Sequence, residues 1–350
     1  MDELTLLRRL DADTPAPTRA ALSSGFDALE VRIHAAEQRG RQHVAKRRKT
    51  VRVRRTLVLT LAAAAVVTGL VMSDSIGVAG LRPGATADAA DLLDHAAVET
   101  INTADPVVHP GQYLAITTDY VSLSSYGSGD TELRWLRQGT DTTYIPYDRK
   151  GEWTLVRSPA KPVDFFSPAA KKQALTDYVS ALAQHDGREE LIRGRAGNFY
   201  GTPADEVGFA DLPRDPRMLL NRIYRTTIGQ GQSPDGEALV WIADELRTGI
   251  VPADLRAALY RAAALIPGVT IVEKETVLDG RAGVAIGRVE PSTGVRQDIV
   301  IDPRTGLLIG ERSVATRAVD DIPAGKTTGS TAITTTVVDK APTGPEHRVD

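Results

Sequence analysis

The chain has 350 residues, 42% of them hydrophobic and 25% charged, with a formal net charge of −3 and no cysteine. With 42 Lys and Arg against 45 Asp and Glu, and aromatics at 5%, it has neither the basic surplus nor the stacking platforms of a dedicated nucleic-acid binder. The lack of cysteine excludes disulfides, thiol nucleophiles, iron–sulfur clusters and cysteine-based zinc sites.

Charge is unevenly placed: residues 1–55 carry a net +6 and residues 56–350 a net −9. In the first stretch Leu4, Leu7 and Leu10 fall at three-residue spacing, and Phe26, Leu29 and Ile33 recur on one helical face after Ser23-Ser24. Asp13-Thr14-Pro15-Ala16-Pro17-Thr18 breaks the two apart. Two short amphipathic helices cannot enclose a core, so these six side chains are candidate docking positions for a cytoplasmic partner. The competing reading is a disordered tail whose basic end holds anionic headgroups.

That basic end is Lys46, Arg47, Arg48, Lys49, Arg52, Arg54 and Arg55, seven positive charges in ten residues. An apolar run free of charge and proline follows over 56–72. As a helix it would be about 25 Å long, at the short end of what a bilayer core requires. The positive-inside rule makes the basic block topology-setting, with the N-terminus cytoplasmic and residues 73–350 extracytoplasmic at the cell membrane. A cleaved signal peptide would share this order, and Ala85-Thr86-Ala87 looks like a cleavage site. Its n-region, however, would be 55 residues long, and the site lies well past the apolar run. A buried soluble helix would keep a polar face, and this run has only threonines. The expected organisation is a cytoplasmic segment at 1–55, a transmembrane helix at 56–72, a tether at 73–85, an outer domain at 86–340 and a disordered tail at 341–350.

In the outer region Leu93, Ala97 and Ile101 predict a helix over 86–101. Strands are expected over 112–121, 131–137, 142–147 and 153–156, from alternating apolar residues that include Leu114, Ile116, Leu133 and Trp135. Ser167-Pro168 caps a helix carrying Leu175, Tyr178, Val179 and Leu182, and Asp215-Pro216 repeats the device before Leu219, Leu220, Ile223 and Tyr224. Leu239, Ile242 and Leu246 form another stripe. Pro252 opens one more, through Leu255, Leu259 and Ile266, ending at Pro267-Gly268. Strands return with Val284/Ile286, Ile299/Ile301 and Leu307/Ile309, the last two joined by the turn Asp302-Pro303-Arg304-Thr305-Gly306. Strands, then helices, then strands predict an α+β fold: a curved antiparallel sheet with helices on one face, preceded by the one transmembrane helix.

Chemistry-bearing motifs are sparse. The histidines, at 34, 43, 95, 109, 185 and 347, include no helical zinc pair. Tyr126-Gly127-Ser128-Gly129 lacks the spacing of a nucleophile elbow. Gly194-Arg195-Ala196-Gly197 and Gly229-Gln230-Gly231 lack the remaining parts of a phosphate loop or a dinucleotide turn. Glu189-Glu190 and Asp320-Asp321 are sequence neighbours whose side chains point apart on any regular element. Asp235-Gly236-Glu237 opens a helix and lacks the ligands of a calcium loop. No catalytic residue, cofactor or metal is therefore assigned. A sheet curling around amphipathic helices leaves an apolar space that can hold a lipid-like molecule or a peptide, with Trp135, Trp241, Leu255 and Leu259 as candidate lining residues; the alternative is that they are filled core.

The chain resembles an uncharacterised family of actinobacterial single-pass membrane proteins often encoded beside extracytoplasmic-function sigma factors. The resemblance is carried by Asp2-Glu3-Leu4 through Leu7-Arg8-Arg9-Leu10, Thr14-Pro15-Ala16-Pro17, the basic block with its apolar span, Leu212-Pro213-Arg214-Asp215-Pro216, residues 252–269, Asp279-Gly280-Arg281 and Ile301-Asp302-Pro303-Arg304-Thr305-Gly306. Each is a cap or a turn rather than a reactive group. The ending Asp302 to Leu307 is also remotely similar to the penultimate hairpin of lipoprotein-carrier and sigma-regulator half-barrels. The expected function is a membrane-anchored, non-enzymatic regulator or sensor. Its outer domain meets a hydrophobic or envelope-derived ligand, and its N-terminal segment holds a cytoplasmic partner, which the resemblance implies is a sigma factor. The alternatives are a membrane-tethered lipid or glycolipid carrier and an extracellular hydrolase whose carboxylates converge only in the fold.

Overall fold

The computed structural model describes residues 82–184, 188–199, 206–344 and 347–348. The expected docking positions Leu4, Leu7, Leu10, Phe26, Leu29 and Ile33, the basic block and the apolar span 56–72 lie outside the described residues. Among the described residues no helix is long and apolar enough to cross a membrane.

Helix α1 (Ala87–Asn102) buries Ala89, Leu93, Ala96, Ala97 and Thr100. Leu93 and Ala97 of the expected stripe are fully buried, but its last position is taken by Thr100, and Ile101 is 54% exposed. Three antiparallel strands follow, β1 (Tyr113–Tyr126), β2 (Leu133–Pro146) and β3 (Glu152–Arg157), then the short β4 (Lys161–Phe165), helix α2 (Pro168–Gln184) and β5 (Glu190–Arg195). Four helical segments come next: α3 (Glu206–Phe209), α4 (Pro216–Thr226), α5 (Pro234–Arg247) and α6 (Ala253–Ala264). The chain then returns to strands β6 (Thr270–Leu278), β7 (Arg281–Glu290), β8 (Val295–Ile301), β9 (Leu308–Ala315), β10 (Thr327–Val338) and β11 (His347–Arg348).

The strands form one sheet in the order β11-β5-β3-β2-β1-β10-β9-β8-β7-β6, with β4 pairing β2. Two antiparallel meanders, one on each side of the helical block, are thus joined through the β1–β10 pairing, which runs from Tyr113 opposite Val338 to Val121 opposite Ser330. The one parallel pair among the described strands is β11 with β5, His347 and Arg348 opposite Ile192 and Arg193. This two-residue strand falls in the stretch 341–350, for which disorder was the expectation.

Helices start where the sequence provides caps. The Asp215 carboxylate accepts hydrogen bonds from the Arg217 and Met218 amides at 3.0 and 2.9 Å, and the Ser233 Oγ accepts one from the Gly236 amide at 3.0 Å. Proline occupies the first turn in both cases, where its missing N–H costs nothing. Leu219, Leu220 and Ile223 of α4, Leu239 and Ile242 of α5, and Leu255 and Leu259 of α6 are fully buried. They pack with Ile116, Ile145, Trp153, Ile286, Ile299, Ile301, Leu308 and Ile333 of the sheet in a single core. Each such side chain contributes about 1.5–3 kcal/mol of burial. The architecture is α+β, with a large antiparallel sheet carrying this helical layer.

Two strands differ from the sequence reading for an identifiable reason. The segments expected at 131–137 and 142–147 are one continuous strand, β2, because Gly139 does not break it. It stands directly opposite Tyr120 on β1, and a Cβ on Gly139 would lie 2.6 Å from the Tyr120 hydroxyl oxygen. The glycine makes room for the ring, a cross-strand packing device rather than a turn. Helix α2 also departs from expectation: it buries Ala170 and Ala174, while Val179 is 43% exposed.

Asp235, at the start of α5, anchors the segment that leads in from the expected tether. Its carboxylate accepts both Arg82 terminal nitrogens, at 2.7 and 3.1 Å, and the Tyr224 hydroxyl at 2.8 Å. Burial and this carboxylate push the Tyr224 hydroxyl pKa upward.

Candidate functional site

The helices leave part of the sheet uncovered. Residues alternating along β2 share one face: Trp135 at one end lies under α2 with Ala170, Ala174, Leu133 and Phe165, and Ile145 at the other belongs to the main core. Between them Arg137, Asp141 and Thr143 line an open cavity of about 1,330 Å³. Ala181 of α2 borders it on one side, and the last turn of α5, with Asp244, Arg247 and the following Thr248, on another. Its apolar floor is made by Ile116, Ile145, Trp153, Leu155, Phe199 and Phe209.

The four residues expected to line an apolar space lie elsewhere. Leu255 and Leu259 are fully buried in filled core, Trp241 packs half-buried against that core, and Trp135 sits beneath α2, two positions beyond Arg137. The lining comes instead from strands whose alternating members are polar. No apolar periodicity marks such positions, and their convergence depends on β1–β10 pairing across more than 200 residues.

Charged groups gather at two places on the wall. Arg157 stands between Asp141 at 3.4 Å and Glu190 at 3.9 Å. Arg247 pairs with Asp244 and lies 3.6 Å from Glu311. The extracellular-hydrolase reading calls for convergent carboxylates, and the fold does bring these four to one cavity, with an arginine between the members of each pair. Glu311 is only 5% exposed. Its Oε2 accepts a hydrogen bond from Gln297 at 3.2 Å, while its Oε1 is buried without a hydrogen-bond donor, as is Asp141 Oδ1.

Burial, opposed by the Arg247 charge, pushes the Glu311 carboxyl from 4.5 up to about 7. Between these values the folded state holds a proton that the unfolded state has released, so stability falls as pH rises from about 4.5 to 7. Glu311→Gln removes that slope. Urea unfolding at pH 5 and pH 8 should show a gain of about 2 kcal/mol at pH 8 and little change at pH 5; equal effects at both pH values would contradict the burial of this carboxyl.

Burial also pushes the Asp141 carboxyl upward, against the lowering effect of Arg157. Among the described residues no cluster of His, Asp and Glu is placed to hold a metal ion.

No family model matches the chain, and no curated protein matches it. Among solved structures it is similar to MucB in the Pseudomonas aeruginosa MucA/MucB complex, at 13% identity over 73% of this chain and 59% of that one, with a TM-score of 0.26. A second MucB structure gives 14% identity, 75% and 62% coverage and a TM-score of 0.28. A DUF1329 family protein from Desulfovibrio piger gives 10% identity, 71% and 91% coverage and a TM-score of 0.17. The chain spans about three fifths of the length of the MucB chains it matches.

Proposed function

We propose that the chain is a membrane-anchored, non-enzymatic regulator or sensor whose outer domain binds a ligand in the cavity between α2 and α5. The observation that carries this reading is the cavity itself: about 1,330 Å³ of concave space with an apolar floor and a wall of charged and polar side chains, and concave sites of this kind are where ligands are held. Residues 56–72 hold the domain at the cell membrane, residues 1–55 remain in the cytoplasm, and 73–85 form the tether that Arg82 locks onto Asp235. Leu4, Leu7, Leu10, Phe26, Leu29 and Ile33 offer the apolar faces for a cytoplasmic partner, in this reading a sigma factor.

The chain has no cysteine, so every introduced thiol is unique, and its topology can be read directly. Ser24→Cys and Ser128→Cys are treated in intact cells with a membrane-impermeant maleimide, after outer barriers to its access are removed. The proposal predicts labelling of position 128 alone, with position 24 labelled only after lysis. Labelling of both, or of neither, would overturn the arrangement.

The apolar floor also supports a tethered lipid or glycolipid carrier. That reading is distinguished by ligand transfer between vesicles, which a sensor does not need to catalyse.

A further inference from the structure

The open stretch of sheet carries its polar side chains in cross-strand rows, because residues directly opposite one another on paired strands point to the same face. Tyr120 on β1 stands opposite Thr331 on β10, and Thr331 stands opposite Glu311 on β9. The three form one row across the strands. On the other side Tyr120 stands opposite Gly139 of β2, with its ring over the glycine and Asp141 diagonal to it. Strands lie about 4.8 Å apart, so the row offers a polar group at that interval over about 10 Å before Asp141 extends it by a further strand.

The neighbouring row is closed on itself: Arg137 donates to Ser122 at 3.2 Å, and Ser313 donates to Gln297 at 2.7 Å. The first row is open. Thr331 Oγ1, Glu311 Oε1 and Asp141 Oδ1 have no hydrogen-bond partner, a deficit that a bound hydroxyl at each would remove.

The chemistry of the wall selects what can lie there. Five arginines and five carboxylates line the cavity, so the lining favours neither a cationic nor an anionic head. Ten of the lining residues carry hydroxyls, groups that both donate and accept. The open positions are spread over separate strands, beyond the reach of one functional group but at an interval suited to successive hydroxyls on linked sugar rings. A peptide strand would need free backbone groups at a sheet edge, and here the backbone is engaged within the sheet.

We propose that the ligand carries a neutral oligosaccharide head laid across β2, β1, β10 and β9, with its hydroxyls on Asp141, Tyr120, Thr331 and Glu311. The proposal rests on the reading of this cavity as a ligand site and adds the chemistry of the head. The apolar face of a sugar ring rests on the Tyr120 ring, and any attached chain runs onto the floor formed by Ile116, Ile145 and Phe209.

The test uses the full chain in nanodiscs of choline lipid and saturation-transfer NMR. The neutral probes are maltose, cellobiose, lactose and mannobiose; the charged ones are lactobionate and the glucosamine dimer. Octanol reports on the floor, its cavity binding being the part that Thr143→Trp abolishes. At least one neutral disaccharide should bind saturably, about fivefold or more tighter than either charged probe. Thr331→Val and Tyr120→Phe should each weaken it by about fivefold, the loss of one hydrogen bond. Thr334→Val, on the opposite face of β10, should leave it unchanged.

Octanol binding without any neutral disaccharide binding overturns the head-group assignment and leaves the cavity a ligand site. Equal binding of a charged probe, or unchanged affinity in both Thr331→Val and Tyr120→Phe, overturns the assignment in the same way. No saturable binding of any probe overturns the ligand site as well. Adding digalactosyldiacylglycerol to the nanodisc distinguishes the source. Loss of the free-sugar signal places the head on a membrane lipid, its persistence places it on a soluble saccharide, and both support the head-group chemistry.

Discussion

Replacing Gly306 by alanine is expected to lower stability by about 3–5 kcal/mol, the cost of a left-handed backbone position combined with steric overlap at a close approach. Gly306 ends the turn between β8 and β9 with φ +64°, and its amide donates to the Asp302 carbonyl at 2.9 Å. The turn is pressed against α1: a Cβ on Gly306 would lie 2.3 Å from the Ala96 carbonyl oxygen and 2.5 Å from the Thr100 nitrogen. Both are backbone atoms of a helix and cannot swing aside. Moving them apart also strains the hydrogen bond that the Thr103 hydroxyl donates to the Thr305 carbonyl at 2.8 Å.

Gly280 is the control, because it has φ +72° with open space around it. Gly280→Ala should therefore cost only the backbone strain, about 1 kcal/mol. For a domain of this size the difference corresponds to a melting temperature lower by about 4–16 °C in Gly306→Ala than in Gly280→Ala. Equal losses in the two variants would show that the turn does not rest on α1.

Asp298→Asn is expected to cost about 3 kcal/mol through a different cause, the uncovering of buried positive charge. Asp298 is fully buried on β8, where it accepts from Arg296 at 2.7 and 2.9 Å and from Arg312 at 2.8 Å. Arg312 continues the network to Glu273 at 2.8 Å and, with nearby positive charge, holds that carboxyl below its ordinary range. Asparagine keeps the volume but removes the charge and turns one acceptor into a donor facing guanidinium nitrogens.

Combining Asp298→Leu with Arg296→Met and Arg312→Met should recover most of the loss, since an apolar replacement of the buried members of an ion cluster is close to neutral and the remaining Glu273 side chain is 41% exposed to solvent. Urea unfolding of the two variants checks this. A triple variant no more stable than Asp298→Asn would mean that the network does more than neutralise its own burial.

The same strand pair shows why parts of the fold are hard to read in sequence. Asp298 faces Gly287 across β7 and β8, and a Cβ on Gly287 would lie 2.1 Å from the carboxylate. Gly139 and Tyr120 repeat the arrangement in the other meander. In sequence each glycine reads as a weakness in its strand, and only the register shows that it makes space for a large or charged partner.

The helices were legible because their signals are local: Asp215-Pro216 and the apolar stripes of α4 and α5 lie within a few residues of one another. The Asp302–Gly306 turn was legible for the same reason. The cavity was not, because its wall draws Asp141, Glu190 and Glu311 from strands far apart in sequence, each within a polar alternation that resembles an ordinary solvent face. The large apolar residues that attract attention, Leu255 and Leu259, are those that packing consumes.

The central claim is that the open stretch of sheet holds a ligand in a membrane-anchored chain, and native mass spectrometry of the intact chain extracted from its own membranes tests it most directly. The account predicts membrane-integrated protein carrying one bound ligand per chain. A tryptophan placed at Thr143, on the cavity wall, should displace that ligand without preventing folding. Recovery of the chain from the soluble fraction, or retention of the same ligand by a folded Thr143→Trp variant, would contradict it.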